Sequence, residues 1–328
     1  MDKEKALRFD DAVWNVSGLF VHDAAILYFF DLCKNCGIDI RIMVHGNIPC
    51  KWNSGRIIQS VDQEYQDWCF SEYKKRNIPV LLTFSNYLLG PDDLDDNLSN
   101  AILAKAAGTE GNGAIIASDL LRDYIHERYP DLILYSSILK IVSEEKKGDA
   151  DNYMRLLDSF DRVVLHPDDG LDTDLLGQLQ NRGRFEILIN ENCVRGCVFR
   201  KEHCDIVSSY YKERRDSRIM DELNAFKLKK CRSVQSPRQL ELFLKGDIET
   251  CNFTKDELKR CYDAGYRYFK IQGRSLSTAS LLYDLTDYTL TDKAARTVFK
   301  MIMDRIGSKT ISENREILLA NQKNWEEV

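Results

Sequence analysis

The sequence predicts an α/β protein built as a TIM-type (β/α)8 barrel, on three observations. Apolar, β-branched runs recur eight times, helix-spaced segments lie between them, and each run ends in polar residues. Strands of a parallel sheet are covered on both faces, so they read as nearly continuous apolar runs. At 328 residues and 44% hydrophobic content, the chain is long enough for a barrel, which takes ~250 residues. A doubly wound open sheet has the same alternation and is the alternative architecture.

In chain order the predicted strands are AVWNVSGLF (12–20), DIRIMVHGN (39–47), IPVLLTFSN (78–86), GAIIASD (113–119), LILYSSIL (132–139), RVVLHPDD (162–169), FEILINEN (185–192) and YRYFKIQGR (266–274). Segments such as AAILYFFDLCKNCG, QEYQDWCFSEYKKR, DDLDDNLSNAILAKAAG and DNYMRLLDSF supply the helical spacing between them. The rhythm breaks once, between the seventh and eighth strands. There, residues 193–265 form an enlarged insertion with a charged helix and six of the chain's ten cysteines. Such a loop is where a barrel enzyme builds specificity or a lid. Residues 275–328 read as a helical C-terminal extension, so the expected organisation is a single barrel domain over 1–328.

A formal net charge of −6 excludes strong general attraction to nucleic acid, because neutralising phosphates takes clustered lysine and arginine. The patches KERRDSR (212–218) and KLKKCR (227–232) read as solvated helix faces or local contacts. With no run of ~18 apolar residues and no signal-type segment, the expectation is a soluble, cytoplasmic protein without membrane association. Its ten cysteines are then reduced thiols or metal ligands.

In either architecture the functional face lies beyond the carboxyl ends of the strands. Those ends carry Asn47, Asn86, Asp119, Ser136, His166, Asn190, Glu191 and Asn192. Asp119 and Ser136 are expected as helix N-caps. His166, opening HPDDG, is the candidate general acid or base, since an unperturbed histidine titrates near neutrality; His45 and Glu191 join it as catalytic candidates. Asn86, Asn190, Lys270 and Arg274 are candidate substrate-binding groups, the two cations suiting a carboxylate or phosphate. Lys270 has an alternative role as a barrel-interior salt bridge.

The stretch EILINENCVRGCVFRKEHC (186–204) packs Cys193, Cys197 and Cys204 into a dozen residues after a strand, and Cys231 supplies a fourth thiol. Four thiolates suit tetrahedral zinc or an iron–sulfur cluster on ligand type alone. The spacing C-x3-C-x6-C-x26-C matches neither zinc-ribbon pairs nor the compact ferredoxin run. His203 is an alternative ligand to Cys204, and Cys50 or Cys251 an alternative to Cys231. Cys33, Cys36, Cys69, Cys251 and Cys261 otherwise read as packing residues.

These stretches, with SSILKI, DRVVLHPDDGLDTDLLGQL and FTKDELKRCYDAGYRYFKIQGR, resemble the peptidase U32 (collagenase-like) family over roughly residues 10–280. The resemblance implies a TIM-barrel-like fold and a [4Fe-4S] cluster, its ligands mapping onto Cys193, Cys197, Cys204 and Cys231. It also implies kinship with members that hydroxylate tRNA uridine or ubiquinone precursors without oxygen, although the first three cysteines stand closer together here than in those members. The expected function is iron–sulfur-dependent redox or hydroxylation chemistry on a small molecule or nucleoside. The alternatives are a non-catalytic iron–sulfur subunit or redox sensor serving a paralogous partner, and a peptidase or hydrolase with a structural metal such as zinc. Neither a Ser-His-Asp nor an HExxH constellation is visible.

Overall fold

In the computed structural model, which describes residues 5–55, 58, 60–231, 249–273 and 276–305, the eight apolar runs close into a parallel barrel. Its strands are β1 (Val13–Leu19), β2 (Arg41–Gly46), β3 (Val80–Phe84), β4 (Gly113–Ile116), β5 (Ile133–Ser136), β6 (Arg162–Val164), β7 (Phe185–Leu188) and, after an excursion, β10 (Tyr268–Ile271). The order β1-β10-β7-β6-β5-β4-β3-β2 is closed, so the sheet has no edge strand and the doubly wound alternative is set aside. Met43, Leu81, Ile115, Tyr135 and Val164 form one apolar cluster contributed by five strands. Gly113 marks the tightest strand approach: a Cβ there would meet the Ile133 carbonyl oxygen at 2.1 Å, so only glycine lets β4 lie against β5.

The helices are α1 (Asp23–Asn35), α2 (Gln63–Lys75), α3 (Asn97–Ala107), α4 (Asp119–Arg128), α5 (Ile138–Glu144), α6 (Ala150–Leu156), α7 (Thr173–Gln178), α8 (Arg200–Lys212) and α9 (Ser217–Lys229), followed by Lys255–Asp263 and Thr278–Thr289. Short polar side chains start them: Asp62, Asp96, Ser118, Ser137, Asp149 and Asp172 each accept a backbone N–H of the first turn. The caps of α4 and α5 are thus Ser118 and Ser137, one residue away from the expected Asp119 and Ser136.

The predicted seventh strand is two strands. β7 ends at Leu188, and Ile189 hands the chain over: its N–H donates to the Lys270 carbonyl of the barrel at 3.0 Å, while its carbonyl accepts from Phe253 at 2.8 Å. Beyond it, β8 (Asn190–Val194) leaves the barrel and pairs antiparallel with β9 (Thr250–Asn252). The barrel strands, the ribbon and the insertion helices belong to one compact unit within residues 11–23 and 41–276. A second compact unit contains described residues 5–10, 24–40 and 277–305. In it Leu7 bridges Leu290, and the Arg8 guanidinium closes on the carbonyls of Asp287 and Leu290 at 2.9 and 2.8 Å. Residues 306–328 of the predicted extension lie outside the described residues. Among the described residues no helix is long and apolar enough to cross a membrane.

Candidate active site at the barrel mouth

The insertion crosses the carboxyl face of the barrel. Helix α8 is tied to the loops after β2 and β3: the Ser208 carbonyl accepts from Asn86 Nδ2 at 3.0 Å, and Ser208 Oγ pairs with Ser54 Oγ at 2.8 Å. Tyr211 Oη accepts the Ile58 N–H, and Lys212 Nζ donates to the Leu88 carbonyl. On the far side Cys204 packs against Ala117, Leu139 and Val142, from the loop and helix after β4 and β5. The chain between β7 and β10 thereby roofs the face on which chemistry is expected.

Around this roof the thiols gather. β8 carries Glu191 and Cys193, a turn at Gly196 (φ +65°) brings back Cys197, and α8 opens with Arg200 and Cys204 four residues apart, on one helix face. The β8–β9 ladder sets Cys251 opposite Glu191, and the Cys251 thiol donates to Asp168 Oδ1 at 3.2 Å. The pKa of Cys197 is lowered to about 6, chiefly by its neighbour Cys193 and against the effect of burial, with the Phe199 N–H assisting. Its neighbour Cys197, together with burial, pushes Cys193 far up. Burial raises Cys204 to about 12 and also raises Cys251.

One cation is common to all four. The Arg200 guanidinium is an electrostatic neighbour of Cys193, Cys197, Cys204 and Cys251. Its Nη1 stands 3.8 Å from Glu191 Oε2, yet Nε and Nη2 are buried without a hydrogen-bond partner among the described residues. A buried donor left unmade costs about 1–3 kcal/mol, more when charged. Such a group therefore points to a bound species that supplies the acceptor.

Asp168 is the anionic counterpart. Burial disfavours its charge, but Lys147 at 3.0 Å, the Gly196 N–H at 3.2 Å and the Cys251 thiol outweigh burial and hold its pKa below the usual carboxylate range. The neighbouring His166 is oriented from both sides. Its backbone N–H donates to Tyr153 Oη, which in turn donates to Asp169 at 2.6 Å, and its ring Nδ1 accepts the Asp168 N–H at 3.2 Å. With Nδ1 accepting, the neutral ring carries its proton on Nε2. Burial, with Arg200 adding, lowers the His166 pKa to about 3. At neutral pH His166 is accordingly a hydrogen-bond donor and holds no exchangeable positive charge.

The remaining candidates divide. Glu191 is in the mouth: its Oε1 accepts from the Cys193 N–H and from Gln272 Nε2, at 3.0 and 3.1 Å. His45 belongs instead to a network joining four barrel strands. His45 Nδ1 bonds Asn15 Oδ1 at 2.8 Å, Asn15 Nδ2 bonds Glu186 Oε2 at 2.8 Å, and Lys270 pairs with Glu186 Oε1 at 3.3 Å. Lys270 thus takes its alternative role as a salt bridge between strands. The Asn86 amide is committed to backbone at the Lys51 and Ser208 carbonyls and the Leu88 N–H. The Asn190 amide similarly exchanges bonds with the Gln272 backbone at 2.7 and 2.8 Å. Arg274 lies outside the described residues.

Thiolates are ligands of a soft type, and all four of these thiols feel the Arg200 charge. Among the described residues no group of three His, Cys, Asp or Glu side chains is drawn together as ligands of a metal ion. Cys231, just beyond α9, packs against the apolar cluster of Ile58, Ile206, Val207, Tyr210, Tyr211, Leu223 and Phe226. His203 stacks on the Phe226 ring at 5.3 Å. Arg200, Asp168 and Lys147 are not among the sequence-predicted site residues, and Cys251 is there only as a packing residue or an alternative to Cys231. A signal existed for two of them: Arg200 lies at helical spacing before Cys204, and Asp168 follows His166 at a strand end.

No family model matches the sequence, and no curated protein matches it. Among solved structures, that of the U32 peptidase Mk0906 is similar, with a TM-score of 0.51 and 12% sequence identity over 83% of this chain and 95% of that one. At that identity the likeness is one of fold: the chain shares the barrel architecture of a U32 peptidase structure.

Proposed function

We propose that this protein is a U32-type redox enzyme that holds a [4Fe-4S] centre at its barrel mouth on Cys193, Cys197, Cys204 and Cys251, and acts without oxygen on a small-molecule or nucleoside substrate. The observation that carries the reading is the Arg200 neighbourhood: four thiols from β8, its following turn, α8 and β9 share one buried cation beneath the insertion. When bound, the centre supplies one-electron transfer, and its potential is tuned by charge and hydrogen bonding. Cys251 is preferred to Cys231 for the fourth place because the β8–β9 ladder and Asp168 fix it beside Glu191.

The chain's own groups then have definite tasks. Asp168 ties the Gly196 turn to Cys251, so one carboxylate sets the geometry of two ligand-bearing segments. Glu191 holds the Cys193 backbone and Gln272. His166, neutral and fixed through Nδ1, offers Nε2–H to a substrate oxygen, which suits orientation better than proton transfer at pH 7. Protein purified without oxygen is expected to contain iron and inorganic sulfide in equal amounts and a broad visible absorption. Zinc without iron would contradict the redox assignment. Turnover appearing only on mixing with a paralogous protein would make the chain the iron–sulfur subunit of a pair.

A hydrolase reading has one observation in its favour, the Cys197 thiolate with a pKa of about 6, since a depressed thiol is a nucleophile. Peptide hydrolysis by metal-free protein, abolished by alkylating Cys197, would decide for it.

A further inference from the structure

We infer that the carboxyl face of the barrel has a second ligand site, a cleft that takes a short peptide carrying one negative and one positive side chain. The loop after β2, the turn into α3 and the end of α8 enclose a volume of about 570 Å3. Pockets that hold small ligands measure ~300–1,000 Å3. Helix α8, 13 residues and roughly 20 Å long, begins at Arg200 and ends at this cleft, so the site is apart from the thiols and independent of what they hold.

The charges lining the cleft are only partly used by the protein. Asp93 takes both nearby lysines, Lys51 at 2.9 Å and Lys212 at 3.5 Å. Asp96 caps α3, accepting the Ser99 N–H and hydroxyl at 3.1 and 2.6 Å. Asp92 and Asp95, from the turn into α3, have no hydrogen-bond or ion-pair partner among the described residues. From the end of α8, Arg214 has none there either, and the Arg215 guanidinium has only the Tyr210 hydroxyl, on Nε at 3.3 Å. Two carboxylates and two guanidinium groups are thus left to a ligand, and they sum to no net charge.

The arginines are held in place against strain. Both have left-handed backbone, with φ +53° and +69°. For a residue with a Cβ that conformation costs about 1–2 kcal/mol. The turn is closed by the Arg214 and Arg215 N–H groups, which donate to the Tyr211 and Tyr210 carbonyls at 3.1 and 2.7 Å. Glycine at this helix end would remove the strain, and with it the guanidinium groups. A ligand of one sign meets its own charge on one side of the cleft. A ligand with both sets a carboxylate on a guanidinium fork and an ammonium on Asp92 or Asp95. Asn97 and Ser60 offer an amide and a hydroxyl to a peptide backbone, and Leu98, 58% exposed, offers an apolar contact.

The test is calorimetric titration of the full chain at low salt with acetyl-Lys-Ala-Glu-amide and its reverse, acetyl-Glu-Ala-Lys-amide. At least one should bind at millimolar concentration or below. The single-charge controls, acetyl-Gln-Ala-Glu-amide and acetyl-Lys-Ala-Gln-amide, should bind about tenfold more weakly or not at all. The double variants Asp92→Asn with Asp95→Asn, and Arg214→Gln with Arg215→Gln, should each lose about tenfold or more. All four side chains are exposed, so the fold should be unaffected. Arg214→Gly with Arg215→Gly relieves the strain, and it should be at least as stable as the wild type while losing the peptide. No binding of either two-charge peptide, equal binding of the single-charge controls, or undiminished binding by the glycine variant overturns the inference. Metal content does not enter the result, so a failure of the redox assignment leaves this site standing.

Discussion

Two of the buried polar networks in the barrel unit, one linking β1, β2, β7 and β10 and the other at the mouth, differ in how completely their hydrogen bonds are closed. In the first, His45, Asn15, Glu186 and Lys270 bond one another, and a fully buried carboxylate is matched by an ammonium and an amide. In the second, Arg200 is surrounded by thiols and carboxylates yet keeps two donors without partners among the described residues. Both contain residue types that suit catalysis. Closure separates them: a network that satisfies itself stabilises the sheet, whereas one whose buried cation keeps two unmet donors lacks an acceptor.

The largest stability effect should come from breaking the closed network. Glu186→Ala removes the buried carboxylate that both Asn15 and Lys270 bond and is expected to cost about 3–5 kcal/mol in urea unfolding. A loss below about 1 kcal/mol would show that this network does not hold the strands. Next is the pH dependence set by His166. Its folded pKa of about 3 lies below its ordinary 6.5, so as pH falls the unfolded chain takes up the proton first. Its stabilising contribution is intact above pH 6.5 and is lost as pH drops toward 3. From pH 6.5 to 4 this loss amounts to about 3 kcal/mol. His166→Gln should therefore flatten that part of the stability profile, and an unchanged acid limb would place the proton uptake elsewhere. Asn86→Ala, which removes three bonds, one to α8, one to the loop after β2 and one within its own loop, should cost roughly 1–3 kcal/mol. It should leave metal content unchanged, and loss of metal would return Asn86 to the site.

The fold was legible because every barrel strand is an apolar run, even the short β6, whose RVVL is set off by polar residues on both sides in DRVVLHPDD. The break at Ile189 was not, since the apolar-to-polar change in FEILINEN looks the same whether the strand ends or changes partner. Asn86 and Asn190 stood out as polar strand ends, and a single sequence does not distinguish an amide awaiting a substrate from one that ties backbone. Lys270 looked alike as anchor or salt bridge until its partner Glu186, eighty-four residues away, was in place. The cysteine run was conspicuous through its density. Arg200 was hidden by its surroundings, one cation among several in CVFRKEHC, and only the fold reveals that Cys251 comes back beside it.

The central claim is that the Arg200 thiols bind the metal centre, and the most direct measurement is iron and sulfide content of anaerobically purified wild type, Cys251→Ala and Cys231→Ala, with visible absorption recorded on each. The account predicts a loaded wild type, a Cys251→Ala protein that loses most of its iron and absorption, and a Cys231→Ala protein that keeps both. A Cys251→Ala protein as rich in iron as the wild type, or a wild type with none, would contradict it.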